Sequence, residues 1–296
     1  MNEKYDVVII GAGIAGMTAA IYLKRAGLDI LLVEENAPGG QLNKINIIEN
    51  YPGFVKTTGP DLAISVYGQV KELGIEFLFD KVIKANIEKE EKEIITNNKT
   101  IKCNYVIIAT GRLSKKLFSD DDRYILKGVS YCALCDGHLY KDKDVAVVGG
   151  GNSALEEMLY LSNICNSVTA ILRGDSFRGE DHLVDKISEK ENIKVVYNSN
   201  ISEYNIENNR LESVTLDNGD KLNVSGLFIS IGSEPSANIF NVEKDKGFIV
   251  ADSECMTNIE NVYACGDVIK KNVYQLTTAA SEGTMAAYSI IRKHKK

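Results

Sequence analysis

The chain of 296 residues contains no tryptophan and only four prolines, and no low-complexity tract interrupts it. It has no apolar run near the roughly 18 residues that a membrane span needs. The N-terminus, Met1 to Asp6, leads straight into the short apolar run Val7 to Ile10. A basic start, a longer apolar core and a small-residue cleavage site are all missing. No secretory signal is therefore expected, and the expected compartment is the cytoplasm. Basic excess is missing too: a net charge of -7 argues against nucleic acid or an anionic membrane as a main partner. Six cysteines do not make a secreted disulfide framework. What is present is an ordinary globular balance, 44% hydrophobic and 25% charged, in a chain long enough for about two domains.

Two glycine-rich turns stand out. The β-branched run Tyr5 to Ile10 ends in Gly11-Ala12-Gly13-Ile14-Ala15-Gly16, followed by a helical pattern from Met17 to Ala26 and a second strand, Asp29 to Glu34. A lone G-x-G-x-x-G is weak, but here it lies between strand and helix with an acid at the expected spacing. The first glycine permits the tight turn, and the second lets the backbone approach a pyrophosphate. The third lets helix pack on strand, and the helix N-terminus faces the phosphates. Glu34 is placed to accept hydrogen bonds from ribose hydroxyls. Downstream, Asp144 to Val148 leads into Gly149-Gly150-Gly151-Asn152-Ser153-Ala154, a helix from Leu155 and a strand from Val168 to Leu172. This repeats the first unit with Ala154 as its third small residue. The simplest account is an α/β protein with two Rossmann-like nucleotide folds. The second repeat ends in Arg173 and Arg178 rather than in an acid. Arginines there suit a 2'-phosphate, as in NADP, or are plain surface charges.

Between the turns, Pro60 to Leu73 reads as a helix, and Ile75–Phe79, Val82–Ile87 and Glu93–Thr96 read as short strands. Tyr105 to Gly111 is a buried strand with a small-residue end, Ala109-Thr110-Gly111. The polar stretch after it marks a domain junction, and the run Asp120-Asp121-Asp122-Arg123 reads as a solvated loop. Further strands are expected at Lys194–Tyr197, Ile201–Ile206, Val214–Leu216 and Gly226–Gly232. Asn261 to Asp267 presents an acid at a strand's carboxyl end, and Tyr274 to Ile291 is helical.

Among the cysteines only Cys132 and Cys135 form a close pair, with Asp136 directly after. Cys103, Cys165, Cys255 and Cys265 fall in apolar stretches and read as buried core thiols. A zinc site would need four ligands, yet there is no second cysteine pair, and His138, His182 and His294 lack ligand spacing. A chance pair of buried thiols is the bland alternative. The third reading is a redox disulfide, since C-x-x-C closes a small ring that opens and forms readily. Asp136 is placed to hand a proton to a leaving thiolate. With a nucleotide fold on either side, the redox reading prevails.

These stretches together resemble the low-molecular-weight, bacterial-type thioredoxin reductases of the pyridine nucleotide-disulfide oxidoreductases. The resemblance covers nearly the whole chain. It rests on Gly11–Gly16, Gly39-Gly40-Gln41, Glu49–Phe54, Ala109-Thr110-Gly111, Val129–Asp136, Gly149–Ala154 and Tyr263–Asp267. It implies a discontinuous FAD domain, residues 1–112 with 243–296, and an inserted pyridine nucleotide domain, residues 113–242, that carries the dithiol. It further implies a homodimer that passes electrons from NADPH or NADH through FAD to a thioredoxin-like protein. Gly11, Gly13, Ala15, Gly16 and Glu34 would hold the adenosine half of FAD. Gly40, Gln41, Asn50, Thr110, Gly111, Gly266, Asp267 and Gln275 would hold the remainder. Gly149, Gly151, Asn152, Ser153, Ala154, Arg173 and Arg178 would hold the nicotinamide nucleotide. Cys135 would lie nearer the flavin, Cys132 would attack the partner, and Asp136 would be the general acid.

The chain departs from the family pattern at three places. Where the family carries H-R-R-x-x-x-R, this chain has Leu172-Arg173-Gly174-Asp175-Ser176-Phe177-Arg178, which keeps two arginines and weakens the 2'-phosphate clamp. Tyr274 stands where many members have arginine, and Leu134 replaces a threonine between the cysteines. A related branch fed by ferredoxin has lost its nucleotide motifs; the retained Gly149, Gly151 and Ala154 argue against it. A non-catalytic, nucleotide-sensing flavoprotein is the alternative from a different class.

Overall fold

The computed structural model describes residues 4–45, 47–125 and 127–295. Residues 1–3 of the N-terminal reading and the Asp122 side chain of the charge run lie outside this description. The chain forms two compact units, residues 1–113 with 234–296, and residues 114–233. The return to the first unit falls at Glu234, against the residue 243 that the family resemblance implies.

The first unit is built on β1 (Lys4–Ile10), whose Val7 to Ile10 are buried on both faces. Strands sheathed on both sides read as continuous apolar runs, which is the pattern seen here. After β1 come α1 (Ile14–Arg25), β2 (Ile30–Glu34), α2 (Gly59–Glu72) and β3 (Glu76–Phe79). Next are β4 (Val82–Asn86), β5 (Lys92–Thr96) and β6 (Thr100–Ile108). The sheet order is β3-β2-β1-β6-β5-β4. Pairing is parallel from β3 to β6 and antiparallel through β5 and β4. β6 begins at Thr100, well before the expected Tyr105, because Thr100 to Cys103 pair with β5. Thr58 caps α2, its hydroxyl accepting from the Asp61 amide at 3.1 Å.

The chain leaves the first unit at β7 (Arg112–Ser114). The second unit contains β8 (Val129–Ser130), α3 (Ala133–Asp136), β9 (Asp144–Val148), α4 (Asn152–Ser162) and β10 (Ser167–Ile171). It continues with α5 (Asp181–Ser188), β11 (Ile193–Val196), β12 (Ile201–Glu207), β13 (Arg210–Leu216), β14 (Lys221–Asn223) and β15 (Gly226–Ile229). Five strands pair in parallel in the order β11-β10-β9-β15-β8. One face packs on α4 and α5 through Leu155, Met158, Leu183 and Ile187. The antiparallel sheet β12-β13-β14 covers the other face through Ile201, Leu211, Val214 and Leu216. This is a three-layer ββα unit, as a sheet with two apolar faces requires.

β16 (Ser233–Pro235) returns the chain to the first unit, where β17 (Lys244–Asp245) and β18 (Phe248–Ile249) form a small ribbon. β19 (Val262–Ala264) then pairs in parallel with the end of β6, and α6 (Leu276–His294) closes the fold against α1. Alternate residues of β1 serve two cores. Val7 and Ile9 face α1, α2 and α6, while Val8 and Ile10 face Ile94, Phe240 and Ile249. No helix among the described residues is long and apolar enough to cross a membrane.

One sequence expectation is overturned. Asp121 of the charge run is not solvated: it is 0% exposed, inside a 3-10 turn at Asp121–Arg123. Its carboxylate accepts from the amides of Leu117 (2.8 Å) and Phe118 (3.1 Å) and from the hydroxyls of Tyr131 and Tyr204 (2.8 Å each). A buried carboxylate persists when donors satisfy it, and two of these donors lie outside its turn, Tyr131 ten residues on and Tyr204 in β12.

Candidate active site

β8 delivers Ser130 and Tyr131 to the start of α3, where Cys132 is the N-cap. A helical turn brings residues three apart onto one face, and Cys132 and Cys135 form a disulfide with Cα atoms 5.3 Å apart. The Cys135 amide donates both to the Cys132 carbonyl and to its Sγ, each at 3.2 Å. Both cysteines are half-buried, and Leu134 between them is 54% exposed.

Asp136 is buried, at 5% exposure. The Ser130 hydroxyl donates to its Oδ2 at 2.7 Å and accepts from the Cys132 amide at 3.1 Å. Ser130 thus joins the backbone of the first cysteine to the carboxylate that follows the second. The site residues expected from sequence did not include it. Its signal is a hydroxyl at the end of a buried strand, which must find partners. Burial, and after it the charge of Asp136, push the Tyr140 phenol up to about 12. The four remaining cysteines are buried, as expected. Burial raises the Cys103 and Cys255 thiols to about 12, Cys165 to about 11, and Cys265 well above its usual range.

In the first unit the glycine turn is tight. Gly11 has φ +103°, and a Cβ on it would meet the Ala109 carbonyl at 2.4 Å. A Cβ on Gly16 would stand 1.9 Å from the Gly11 carbonyl. Gly13, by contrast, faces open space. It is the N-cap of α1, with no side-chain cap and no acid in the first turn. Uncapped amides at a helix N-terminus beside a bare glycine suit a diphosphate, so the turn fits a dinucleotide. Glu34 Oε2 accepts from the Ala12 amide at 2.8 Å, which fixes this carboxylate at the turn. The Gly39 amide donates to the Ala12 carbonyl at 2.8 Å, binding the Gly39-Gly40-Gln41 turn to the first. Ala15 is wedged between Gly266 and Gly283, whose Cβ atoms would meet it at 2.9 and 2.2 Å.

The residues expected at the flavin end also lie in this unit. Gln41 Nε2 donates to the Arg112 carbonyl at 2.7 Å, and Asn50 and Gln275 meet at 3.4 Å despite their separation in sequence. The Thr110 hydroxyl donates to the Ser236 carbonyl at 2.6 Å, and Gly111 has φ +66° with open space around it. Asp267 pairs with Arg112 at 3.5 Å and Lys271 at 3.2 Å. Lys271 also pairs with Glu282 at 2.7 Å, and Glu282 accepts from the Gly266 amide at 2.9 Å. Burial outweighs Lys271 at Glu282 and leaves its carboxyl above the usual range. Tyr274 lies under Arg112, whose guanidinium carbon is 4.1 Å from the ring centroid. Sequence reasoning missed Arg112, Lys271 and Glu282; a carboxylate within the alanine-rich α6 was the available signal.

The second turn repeats the positive-φ first glycine and the open middle glycine of the first. Gly149 has φ +137°, and its Cβ would meet the Ser230 carbonyl at 2.2 Å. Gly151 is open and forms the N-cap of α4, again with no side-chain cap or first-turn acid. Ala154 is buried, while Asn152 and Ser153 are exposed. Asn152 and Glu180 exchange two hydrogen bonds of 2.8 Å. The Arg178 amide donates to the Gly150 carbonyl at 2.7 Å, which pins the arginine loop to the turn. Arg173 and Arg178 are exposed, with no ion-pair partner among the described residues. No group of three or more His, Cys, Asp or Glu side chains that could hold a metal ion occurs among the described residues.

The sequence profile of the pyridine nucleotide-disulphide oxidoreductase family matches residues 5–283. A thioredoxin reductase of Listeria innocua is 38% identical over 295 residues, covering 96% of this chain and 92% of its own. One of Bacillus subtilis is 36% identical over 301 residues, covering 98% and 95%. The crystal structure of thioredoxin reductase from Streptococcus pyogenes superposes with a TM-score of 0.91 at 33% identity, covering 100% of this chain and 99% of the other.

Proposed function

We propose an electron path for this chain from one premise: it belongs to the thioredoxin reductases, within the pyridine nucleotide-disulphide oxidoreductase family. It is accordingly a flavin-dependent oxidoreductase that uses a pyridine nucleotide and acts on thioredoxin. The observation that carries the path is the Cys132–Cys135 disulfide beside buried Asp136, in the same unit as the second glycine turn. Bound FAD supplies a two-electron carrier between reduced nucleotide and sulfur. Gly11, Gly13, Ala15, Gly16 and Glu34 bind its adenosine and diphosphate, and Gly40, Gln41, Asn50, Thr110, Gly111, Gly266, Asp267 and Gln275 bind the rest. Gly149, Gly151, Asn152, Ser153 and Ala154 cradle the nucleotide diphosphate, with Arg173 and Arg178 toward the 2'-phosphate of NADPH.

The disulfide takes up two electrons and two protons to become the dithiol. Cys132, as thiolate, attacks the disulfide of the partner. One S–S bond forms and one breaks, leaving a mixed disulfide and a partner thiolate. Cys135 then attacks Cys132 Sγ, restoring the internal disulfide and releasing the second partner thiolate. Asp136, oriented by Ser130, moves protons to and from the sulfur pair.

The chain works as a cytoplasmic homodimer. One groove beside α1, α2 and α6 is lined by the exposed Tyr22, Phe54 and Tyr288, and light scattering reads the mass directly. The donor is tested by anaerobic stopped-flow with NADPH, NADH and reduced ferredoxin side by side. Rapid flavin bleaching by NADPH, slower by NADH and none by ferredoxin is expected. Bleaching by ferredoxin alone would overturn the donor assignment.

A further inference from the structure

The carboxylate of Asp121 has no place in the path above, yet it is the most completely buried acid of the second unit. Four donors surround it. Two amides, from Leu117 and Phe118, belong to its own loop. The other two are phenols from separate elements, Tyr204 of β12 on Oδ1 and Tyr131 on Oδ2. Tyr204 is held further by edge contacts with Phe118 and Tyr124, centroids 4.8 and 5.7 Å apart. Burial and the Asp121 bond push its phenol above the usual range, so it stays a donor. Tyr131 is the residue directly before Cys132. The chain entering the dithiol is thus fixed on both sides of Tyr131. Val129 is paired in the sheet, and the Cys132 amide is bonded to Ser130.

We infer that Asp121 is a positioning residue for the dithiol, acting through the Tyr131 phenol to hold the Cys132 end of the C-x-x-C loop. The inference rests on Cys132 and Cys135 being the redox pair. Its consequence is thermodynamic. The stability of an internal disulfide follows the effective concentration of one thiol at the other, which falls when an anchor of the loop is cut. Cutting the Tyr131 strut favours the open dithiol. Cutting the Tyr204 strut removes an equal hydrogen bond from the same carboxylate but leaves the cysteine loop anchored. The two phenols therefore separate positioning from mere structural support.

The test is redox equilibration of the holoenzyme with oxidised and reduced glutathione, read by alkylation of Cys132 and Cys135. In each full exchange the dithiol loses two electrons and two protons to one oxidised glutathione, giving two reduced ones. Tyr131→Phe is expected to shift the equilibrium about tenfold toward the dithiol, about 30 mV for a two-electron couple. Asp121→Asn should shift it at least as far, and Tyr204→Phe should leave it within twofold of the parent while lowering the melting temperature. Equal shifts in Tyr131→Phe and Tyr204→Phe, or a parent-like Tyr131→Phe, would overturn the assignment. If Asp121→Asn does not fold, the two phenylalanine variants still decide. A parent protein whose pair never exchanges with glutathione would instead break the reading of the pair as redox-active, so the two failures are distinguishable.

Discussion

A methyl group on Gly16 would stand 1.9 Å from the Gly11 carbonyl, whereas the matching position of the second turn already carries the methyl of Ala154. The first turn is bound to a second loop through Gly39 and closed by Glu34. The second is met by an exposed arginine loop held by one amide of Arg178 and by the Asn152–Glu180 pair. The first arrangement suits a cofactor that stays, and the second suits a nucleotide that comes and goes. The two turns share one backbone device and differ in the third small residue and in what is packed against it.

The sharpest way to break this comparison is a pair of mirror substitutions. Gly16→Ala should cost about 3 kcal/mol of stability through overpacking and yield protein without flavin absorbance, while Ala154→Gly should cost about 1.5 kcal/mol, for helix propensity and one buried methyl, and keep the flavin. Equal losses in thermal unfolding would mean that the two turns are equally tight. Next in size is Lys271→Met, which strips Glu282 of its cation. A loss of about 2 kcal/mol in urea unfolding at pH 8 is expected, as for one partner of a mostly buried pair. The sign follows from the Glu282 carboxyl, which burial already holds above 4.5. Its contribution to stability is full below 4.5 and is lost as pH rises through the raised folded value. Without Lys271 that value climbs further, so the loss at pH 5 should be smaller than at pH 8.

A smaller effect tests the open loop. A Cβ on Gly174 meets nothing within 4 Å, so an arginine fits there. Gly174→Arg should lower the KM for NADPH about tenfold and leave that for NADH unchanged, since a third cation adds about 1.4 kcal/mol toward the 2'-phosphate alone. The smallest predicted signal is a silence. After reduction, iodoacetamide at pH 8 should label Cys132 and Cys135, while the four buried thiols stay protonated and unlabelled until the chain unfolds.

Much of this was legible in sequence because it depends on local backbone rules. The strand–glycine–helix units, Glu34 at the end of β2 and the C-x-x-C turn follow from residues near one another. Asp121 was not legible: its acidic neighbours suggest solvent, and the tyrosines that make its burial tolerable lie at 131 and 204. Ser130 lies within the Val129–Asp136 stretch, but its role depends on β8 aiming its hydroxyl at Asp136. The Lys271–Glu282 pair likewise needs α6 folded against the Gly266 turn. Sequence patterns reveal what the backbone must do. Long-range partners of polar side chains emerge only from the fold.

The most direct test of the electron path is thioredoxin-dependent insulin reduction by Cys135→Ser, with flavin reduction by NADPH followed in the same preparation. Flavin reduction at the parent rate with insulin reduction down at least about a thousandfold is predicted, since no internal disulfide can form. Insulin reduction at the parent rate would contradict it.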